Sequence, residues 1–187
     1  MLPASLVNRI SGTRFSEERI EQNEILRLIR AGIRASDHGD LKPFRFVLVE
    51  GDARRRLGAA MAVAYGRQNP DASESILERQ KAKTLRAPHI IAVIFSPKNA
   101  DIIPLHEQRT SAGCAAQMIV AEAYLMGLGA IWRTGQTVYS LEVANEMDLS
   151  SEEEVIACLY LGHFVSKPKK RKYLDEASFI SYLEPIN

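Results

Sequence analysis

Arg9, Ser11 and Arg14 place two guanidinium groups and a hydroxyl within six residues. That donor set suits phosphate, because the planar arginine fork meets two oxygens at once and a serine hydroxyl adds another bond. The same residues at an exposed helix end would serve only the helix dipole. A second polar cluster, Trp132-Arg133-Thr134, lies in the run LMGLGAIWRTGQ at 125–136, with the only tryptophan of the chain. Its G-x-G pair, Gly127 and Gly129, lacks the third glycine of a dinucleotide fingerprint, since Trp132 stands there. The expected order of elements is also reversed: a helix enters and a strand leaves, so no helix N-terminus faces a pyrophosphate. The spacing predicts Gly127 or Gly129 as a left-handed helix C-cap. Trp132, Arg133 and Thr134 then sit at a strand edge, where ligands are commonly held.

Other chemistries fail on spacing. HEQRT at 106–110 has Thr110 where a zinc-protease helix needs its second histidine. His38, His89 and His163 share no ligand spacing with each other or with Cys114 and Cys158, so no metal site is expected. TSAGC at 110–114 lacks the flanking glycines of a nucleophile elbow, and Ser111 is expected on, or capping, a long helix.

The elements that must position these residues follow from periodicity. Two helices are expected in the first forty residues, one with Leu2, Leu6, Val7 and Ile10, the next with Ile25, Leu28, Ile29 and Ile33 and with Asn23 as its cap. RASDHGDLKPF, 34–44, reads as a loop. RFVLVE, 45–50, reads as a strand, followed by a helix over ARRRLGAAMAVAYGRQ. Residues 69–86 are polar with helical tendency and stop at Ala87-Pro88. HIIAVIFS, 89–96, is a continuous β-branched run that belongs in the middle of a sheet. A long alanine-rich helix over 105–126, a short strand at 130–134, a small helix at 141–147 and a strand at 155–162 complete an α+β class rich in helix.

With 187 residues, 46% of them hydrophobic, the chain is expected to form one domain over 1–187. Lysine plus arginine (24) nearly balances aspartate plus glutamate (23), so the overall field does not recruit nucleic acid, and any anion site must be local. The basic run KPKKRK, 167–172, has one aromatic neighbour, Tyr173, and reads as a solvated or phosphate-contacting tail. Residues 111–132 approach the length of a membrane span but carry Gln117, Glu122 and two glycines, which favours a buried helix and no membrane partner. No export signal is read at the N-terminus, and Cys114 and Cys158, each among apolar neighbours and without paired spacing, fit reduced, buried thiols in the cytoplasm.

Taken in order, Arg9-Ile-Ser-Gly-Thr-Arg14, RAGIRASDHGDLKPFRFVLVEG, LRAPHIIAVI, SAGCAAQMIVAEAYLMGLGAIWRTG and the late strand ending YLG resemble the nitroreductase family of flavoproteins, most closely the short bacterial NAD(P)H nitroreductases of the YdjA type. The resemblance implies a homodimer with a mainly antiparallel central sheet flanked by helices and FMN in clefts at the subunit interface. It places the flavin phosphate and ribityl chain on Arg9, Ile10 and Ser11, with Ile10 departing from the arginine that relatives carry and Arg14 or Arg171 supplying the missing cation. Arg34 and His38 correspond to positions that reach FMN from the partner subunit. Ser36 replaces a proline, and Lys42-Pro43-Phe44 stands where relatives often have Gln-Pro-Trp. Trp132, Arg133 and Thr134 correspond to the W-R-S triplet that lines the flavin. Glu122, Ala123, Tyr124, Leu125, Met126 and Gly127 correspond to the segment assigned to the nicotinamide cofactor, although the same residues read by themselves as a packed helix end. The implied chemistry is ping-pong: NADH or NADPH reduces FMN, then a small-molecule electron acceptor such as a nitroaromatic or quinone takes its place. Arg133 or Lys42 is expected to tune the flavin N1 and O2 edge. The alternative within the same resemblance is a flavin-binding protein without that turnover.

Overall fold

The computed structural model describes residues 6–166 and 174–183. Its frame is one four-stranded sheet built from β1 (Phe44–Glu50), β2 (His89–Phe95), β3 (Gly129–Arg133) and β4 (Glu154–Gly162), in the order β1-β2-β4-β3. Every pairing is antiparallel, with a bulge in the β2–β4 ladder between Val93 and Ile94. All seven residues of β2 are buried, as the unbroken β-branched run at 89–96 predicts. The helices are α1 (Gln22–Ile33), α2 (Ala53–Gln68), α3 (Glu74–Lys81), α4 (Leu105–Leu125) and α5 (Leu141–Glu146).

Alternation along the strands sorts the core into two layers. Val49, Ile90, Ala92, Ile94, Cys158 and Tyr160 pack on one face against Leu57 and Met61 of α2 and Val143 of α5. Ile91, Val93, Ala157, Leu159 and Leu161 pack on the other against Ile25 and Leu28 of α1 and Ala116, Ile119 and Ala123 of α4. Each large aliphatic side chain buried in this way contributes about 1.5–3 kcal/mol. The alanines of α4 let a helix that is apolar on several sides lie close over the strands. No helix among the described residues is long and apolar enough to cross a membrane.

Three local expectations are corrected. Among the described residues the N-terminal segment forms a 3-10 turn, Leu6–Asn8, with Leu6 and Val7 exposed, while Leu2 lies outside the described residues. Helix α1 is capped by Glu21, not Asn23: a reciprocal capping box links Glu21 and Glu24, and the Glu24 carboxylate accepts from the Glu21 N–H at 3.1 Å. Cys114 is only half-buried, whereas burial pushes the fully enclosed Cys158 thiol up to about 12. Gly127 closes α4. Its φ is +79°, its N–H donates to the Tyr124 carbonyl and the Leu128 N–H reaches back to the Ala123 carbonyl, which together form a Schellman motif. Gly129 serves close packing, since a Cβ there would meet the Phe15 ring at 2.5 Å. Ser111 sits within α4 and donates to the Glu107 carbonyl.

The free edge of β1 is tied to the turn before β4 by Arg45, whose Nε and Nη2 donate to the two carboxylate oxygens of Glu153 at 2.7 and 2.8 Å. This two-pronged bond holds the Glu153 carboxyl down to about 2 against the opposing effect of burial. Because its folded value lies below the unfolded one, the bond stabilises fully above about pH 4.5 and is lost as pH falls towards 2. Glu153→Gln is therefore expected to lower stability at pH 7 by about 2–3 kcal/mol and to flatten the acid limb of the stability curve between pH 4.5 and 2. Urea melts across that range read both effects, and a parent-like acid slope in the variant would contradict the assignment.

Candidate functional site

The arm before α1 is clamped to the end of β4. Phe15 bridges Phe164, with ring centroids 6.0 Å apart, and the Ser16 N–H donates to the His163 carbonyl at 2.9 Å. Gly12 and Gly129 both press on the Phe164 ring. The segment Arg9 to Ser11 consequently lies beside the start of β3. Arg9 Nη1 donates to Ser11 Oγ at 3.1 Å, which leaves the serine hydroxyl hydrogen and the remaining guanidinium donors available to an anion. Arg9 has no carboxylate at ion-pair distance among the described residues. Ile10 is half-buried and Arg14 exposed.

At the other end of β3 stands Arg133. It follows Ile131 in the alternation, pairs in register with Cys158 and so belongs to the α2 face of the sheet. On that face it joins Lys83 and Arg86, both on the 3-10 turn Ala82–Arg86. Sequence reasoning missed these two, because 69–86 is the least patterned stretch of the chain, with only Ile76, Leu77 and Gln80 spaced along one face. The turn is held by packing: a Cβ on Gly58 of α2 would lie 2.3 Å from the Lys81 carbonyl oxygen, and buried Thr84 donates its hydroxyl to the Arg54 carbonyl at 2.7 Å. Gly58 and Thr84 were the available sequence signal, but nothing in the linear pattern pairs them. Burial, then the charges of Arg86 and Arg133, push the Lys83 ammonium below the usual lysine range. None of the three cations meets a carboxylate at ion-pair distance among the described residues. Neighbouring cations that meet no carboxylate among the described residues have the chemistry to attract a negatively charged group.

The loop at 34–44 is held in an unusual shape. Gly39, Asp40 and Lys42 all have positive φ, at +71°, +56° and +49°. The carboxylate of Asp37, almost fully buried, accepts from the Lys42 N–H at 2.6 Å and from its Nζ at 3.3 Å. Lys42 Nζ also pairs with Asp40. These partners, Asp40 first, hold the Lys42 ammonium above its usual range. Its charge is thus already matched, in contrast with that of Arg133. In the same loop, Arg34 is exposed and His38 Nδ1 lies 2.7 Å from Glu107 Oε2. Gln108 anchors the neighbouring segment by accepting from the Lys98 N–H and donating to the carbonyls of Lys98 and Ile103.

Trp132 points to the opposite face of β3 from Arg133 and is about one-third exposed, and Thr134 is exposed beyond the strand. Within 122–127, Glu122 pairs with Arg27, Ala123 is wholly buried and Gly127 is the helix cap. Tyr124 and Met126 are half-buried and Leu125 exposed. Arg171 and the rest of the basic run lie outside the described residues. No group of histidines, cysteines and carboxylates among the described residues forms a metal-ligand set.

A family model described as the nitroreductase family matches residues 6–163. The chain is 31% identical over 160 residues to YdjA of Escherichia coli, named as an NAD(P)H nitroreductase, covering 84% of this chain and 85% of the relative. It is 26% identical over 181 residues to a protein of the same designation from Haemophilus influenzae, covering 95% and 97%. Among solved structures, a nitroreductase-like protein from Bacillus cereus matches with a TM-score of 0.80 at 20% identity, over 96% of this chain and 94% of that one. A variant of NfnB from Sphingopyxis, described as an FMN- and NADPH-dependent nitroreductase, matches with a TM-score of 0.75 at 16% identity, over 95% and 96%. At those identities the two structures bear on the fold.

Neutralising one of three mutually repelling cations relieves strain in the ligand-free protein and weakens the receptor. Arg133→Gln is expected to raise Tm by about 1–3 °C without ligand and to reduce the stabilisation conferred by millimolar pyrophosphate. Thermal melts with and without the anion measure both, and a lowered Tm with an unaltered pyrophosphate response would assign Arg133 to holding the strand.

Proposed function

The chain belongs to the nitroreductase family, and from that premise we propose that it is an FMN-dependent oxidoreductase that takes reducing equivalents from NADH or NADPH and delivers them to small acceptors such as nitroaromatics or quinones. The observation that carries this reading is the pair of cationic centres on one sheet edge, Arg9 with Ser11 at the start of β3 and Arg133 with Lys83 and Arg86 at its end. Five residues of strand separate them by about 13 Å. An elongated ligand with a phosphate at one end and an electron-rich ring edge at the other suits that spacing, and FMN has that form.

When bound, FMN supplies the redox-active ring. The chain's part is to grip the phosphate with Arg9 and Ser11, and to set fixed positive charge from Arg133 and Lys83 where the ring edge gains negative charge. Lys42, matched by Asp37 and Asp40, holds its own loop and leaves tuning to Arg133. Trp132 and Thr134 contribute edge contacts, and Glu122 to Gly127 serve mainly to end α4.

A homodimer completes the reading. Leu105, Leu141, Phe179, Tyr182 and Leu183 are exposed well beyond what a lone chain needs. An open groove of about 500 Å³ is lined by Ile25, Leu26, Ile29, Ile33, Phe44 and Phe46 beside the free edge of β1. A second copy covering these surfaces would receive Arg34 and His38 at its own flavin. The whole of 1–187 then acts as one domain, and the free thiols fit a cytoplasmic setting.

The purified protein is expected to be yellow, to oxidise NADH or NADPH in the presence of nitrofurazone or menadione, and to run as a dimer. Arg9→Ala, which removes a charge-assisted bond, should weaken FMN retention about 10- to 100-fold. A colourless preparation that takes up no added FMN would sink the proposal. Flavin that is bound yet reduced by neither nucleotide would favour a flavin-binding role without turnover.

A further inference from the structure

His89 opens β2 and is 1% exposed. Its Nε2 accepts the backbone N–H of Ile20 at 3.0 Å. An imidazole nitrogen that accepts carries no proton, so the ring is neutral with its hydrogen on Nδ1. Nδ1 lies 3.2 Å from Glu50 Oε2, the last residue of β1, without a well-directed hydrogen bond. The same Glu50 oxygen is 3.0 Å from Arg19 Nη2, so its charge is already shared. From α2, Arg54 adds a second guanidinium, itself 3.9 Å from Glu17. From β4 the residue in register is Leu161, which brings no charge. One shared carboxylate and two arginines therefore surround a ring sealed from water, and burial, the largest effect, holds the imidazole below its ordinary value of 6.5.

Ile20 is the last buried residue of the arm that begins at Arg9 and Ser11, and it is 3% exposed. We propose that His89 is a proton-operated latch for this arm: the neutral ring pins Ile20 and so holds the Arg9–Ser11 anion site in place, and the imidazolium releases it. An imidazolium has two donors and no acceptor, so proton uptake sets two N–H groups face to face where Ile20 has no water to turn to. The link to anion binding rests on Arg9 and Ser11 holding the flavin phosphate, whereas the latch itself does not. In the unfolded chain the histidine takes up its proton near pH 6.5. The latch is thus fully closed at pH 7.5, and its contribution is lost as pH falls through 6.5 towards the lower folded value.

Amide hydrogen exchange at Ile20, corrected for the intrinsic effect of pH, decides the latch. Protection is expected to fall between pH 7.5 and 5.5 in the parent protein, by up to about tenfold for a single proton taken up near pH 6.5. It should stay level in His89→Gln, whose amide oxygen accepts at every pH. Glu50→Gln, a near-isosteric change at a half-buried side chain that removes the carboxylate favouring the imidazolium, should move the opening to lower pH. FMN affinity measured on the same samples should fall in step with Ile20 protection in the parent and not in His89→Gln. Unchanged Ile20 protection in the parent, or the same pH response in His89→Gln, overturns the latch, and so does an opening that Glu50→Gln shifts to higher pH. Opening at Ile20 with constant FMN affinity overturns the link to the site. Failure of the parent to bind FMN at pH 7.5 instead defeats the flavin reading, and the exchange data still decide the latch.

Discussion

Strands β2 and β4 are buried on both faces, and this double burial governs what the other elements can do. A strand that alternates Ile90, Ala92 and Ile94 against Ile91 and Val93 needs apolar cover on two sides, so helices must lie on both. With β2 and β4 in the centre, the functional opportunities move to the edges, β1 and β3. The β3 edge receives the arm from residue 9 through the Phe15 and Phe164 rings, and the turn carrying Lys83 through α2. Both attachments use glycine for close approach, at Gly129 and Gly58, where even a methyl group would force the partners apart.

Charge placement separates structure from site. Arg45 with Glu153, Arg56 with Glu146, Arg67 with Glu142 and Arg109 with Glu154 tie one element to another. Such pairs satisfy both partners. Arg9, Lys83, Arg86 and Arg133 stand outside that network, and the charges of Arg86 and Arg133 bear on Lys83. Cations that meet no carboxylate among the described residues and lie close to one another leave a local positive field that an added anion would relieve.

Most of the fold could be read from local pattern, because burial and periodicity coincide: the strands at 89–95 and 154–162 and the helices at 53–68 and 105–125 fall within a residue or two of their expected ends. The site was harder. Arg9, Ser11 and Arg133 stood out by residue type, and the family resemblance joined them. Lys83 and Arg86 did not stand out, since their placement comes from a tertiary approach, Gly58 against Lys81 and Thr84 against Arg54, between residues 23 and 30 apart in the chain. The Asn23 cap failed because asparagine one residue inside the helix competes poorly with the reciprocal Glu21 and Glu24 pair.

Lys42 shows how a local network engages a residue whose type suggests chemistry. A lysine beside a presumed ligand loop invites an electrostatic part in the chemistry. Its backbone, however, sits at φ +49°, next to Asp40 at +56°, and left-handed conformations at such residues cost about 1–2 kcal/mol each. Something must hold them, and the buried Asp37 carboxylate does so by accepting both the Lys42 N–H and its ammonium. The positive charge is the means by which Asp37 can be buried at all, since an unpaired carboxylate there would be costly. The loop in turn keeps Arg34 and His38 facing outwards, with His38 braced on Glu107. Lys42 is therefore engaged within its own loop, whereas Arg133, at the opposite edge of the sheet, meets no carboxylate among the described residues.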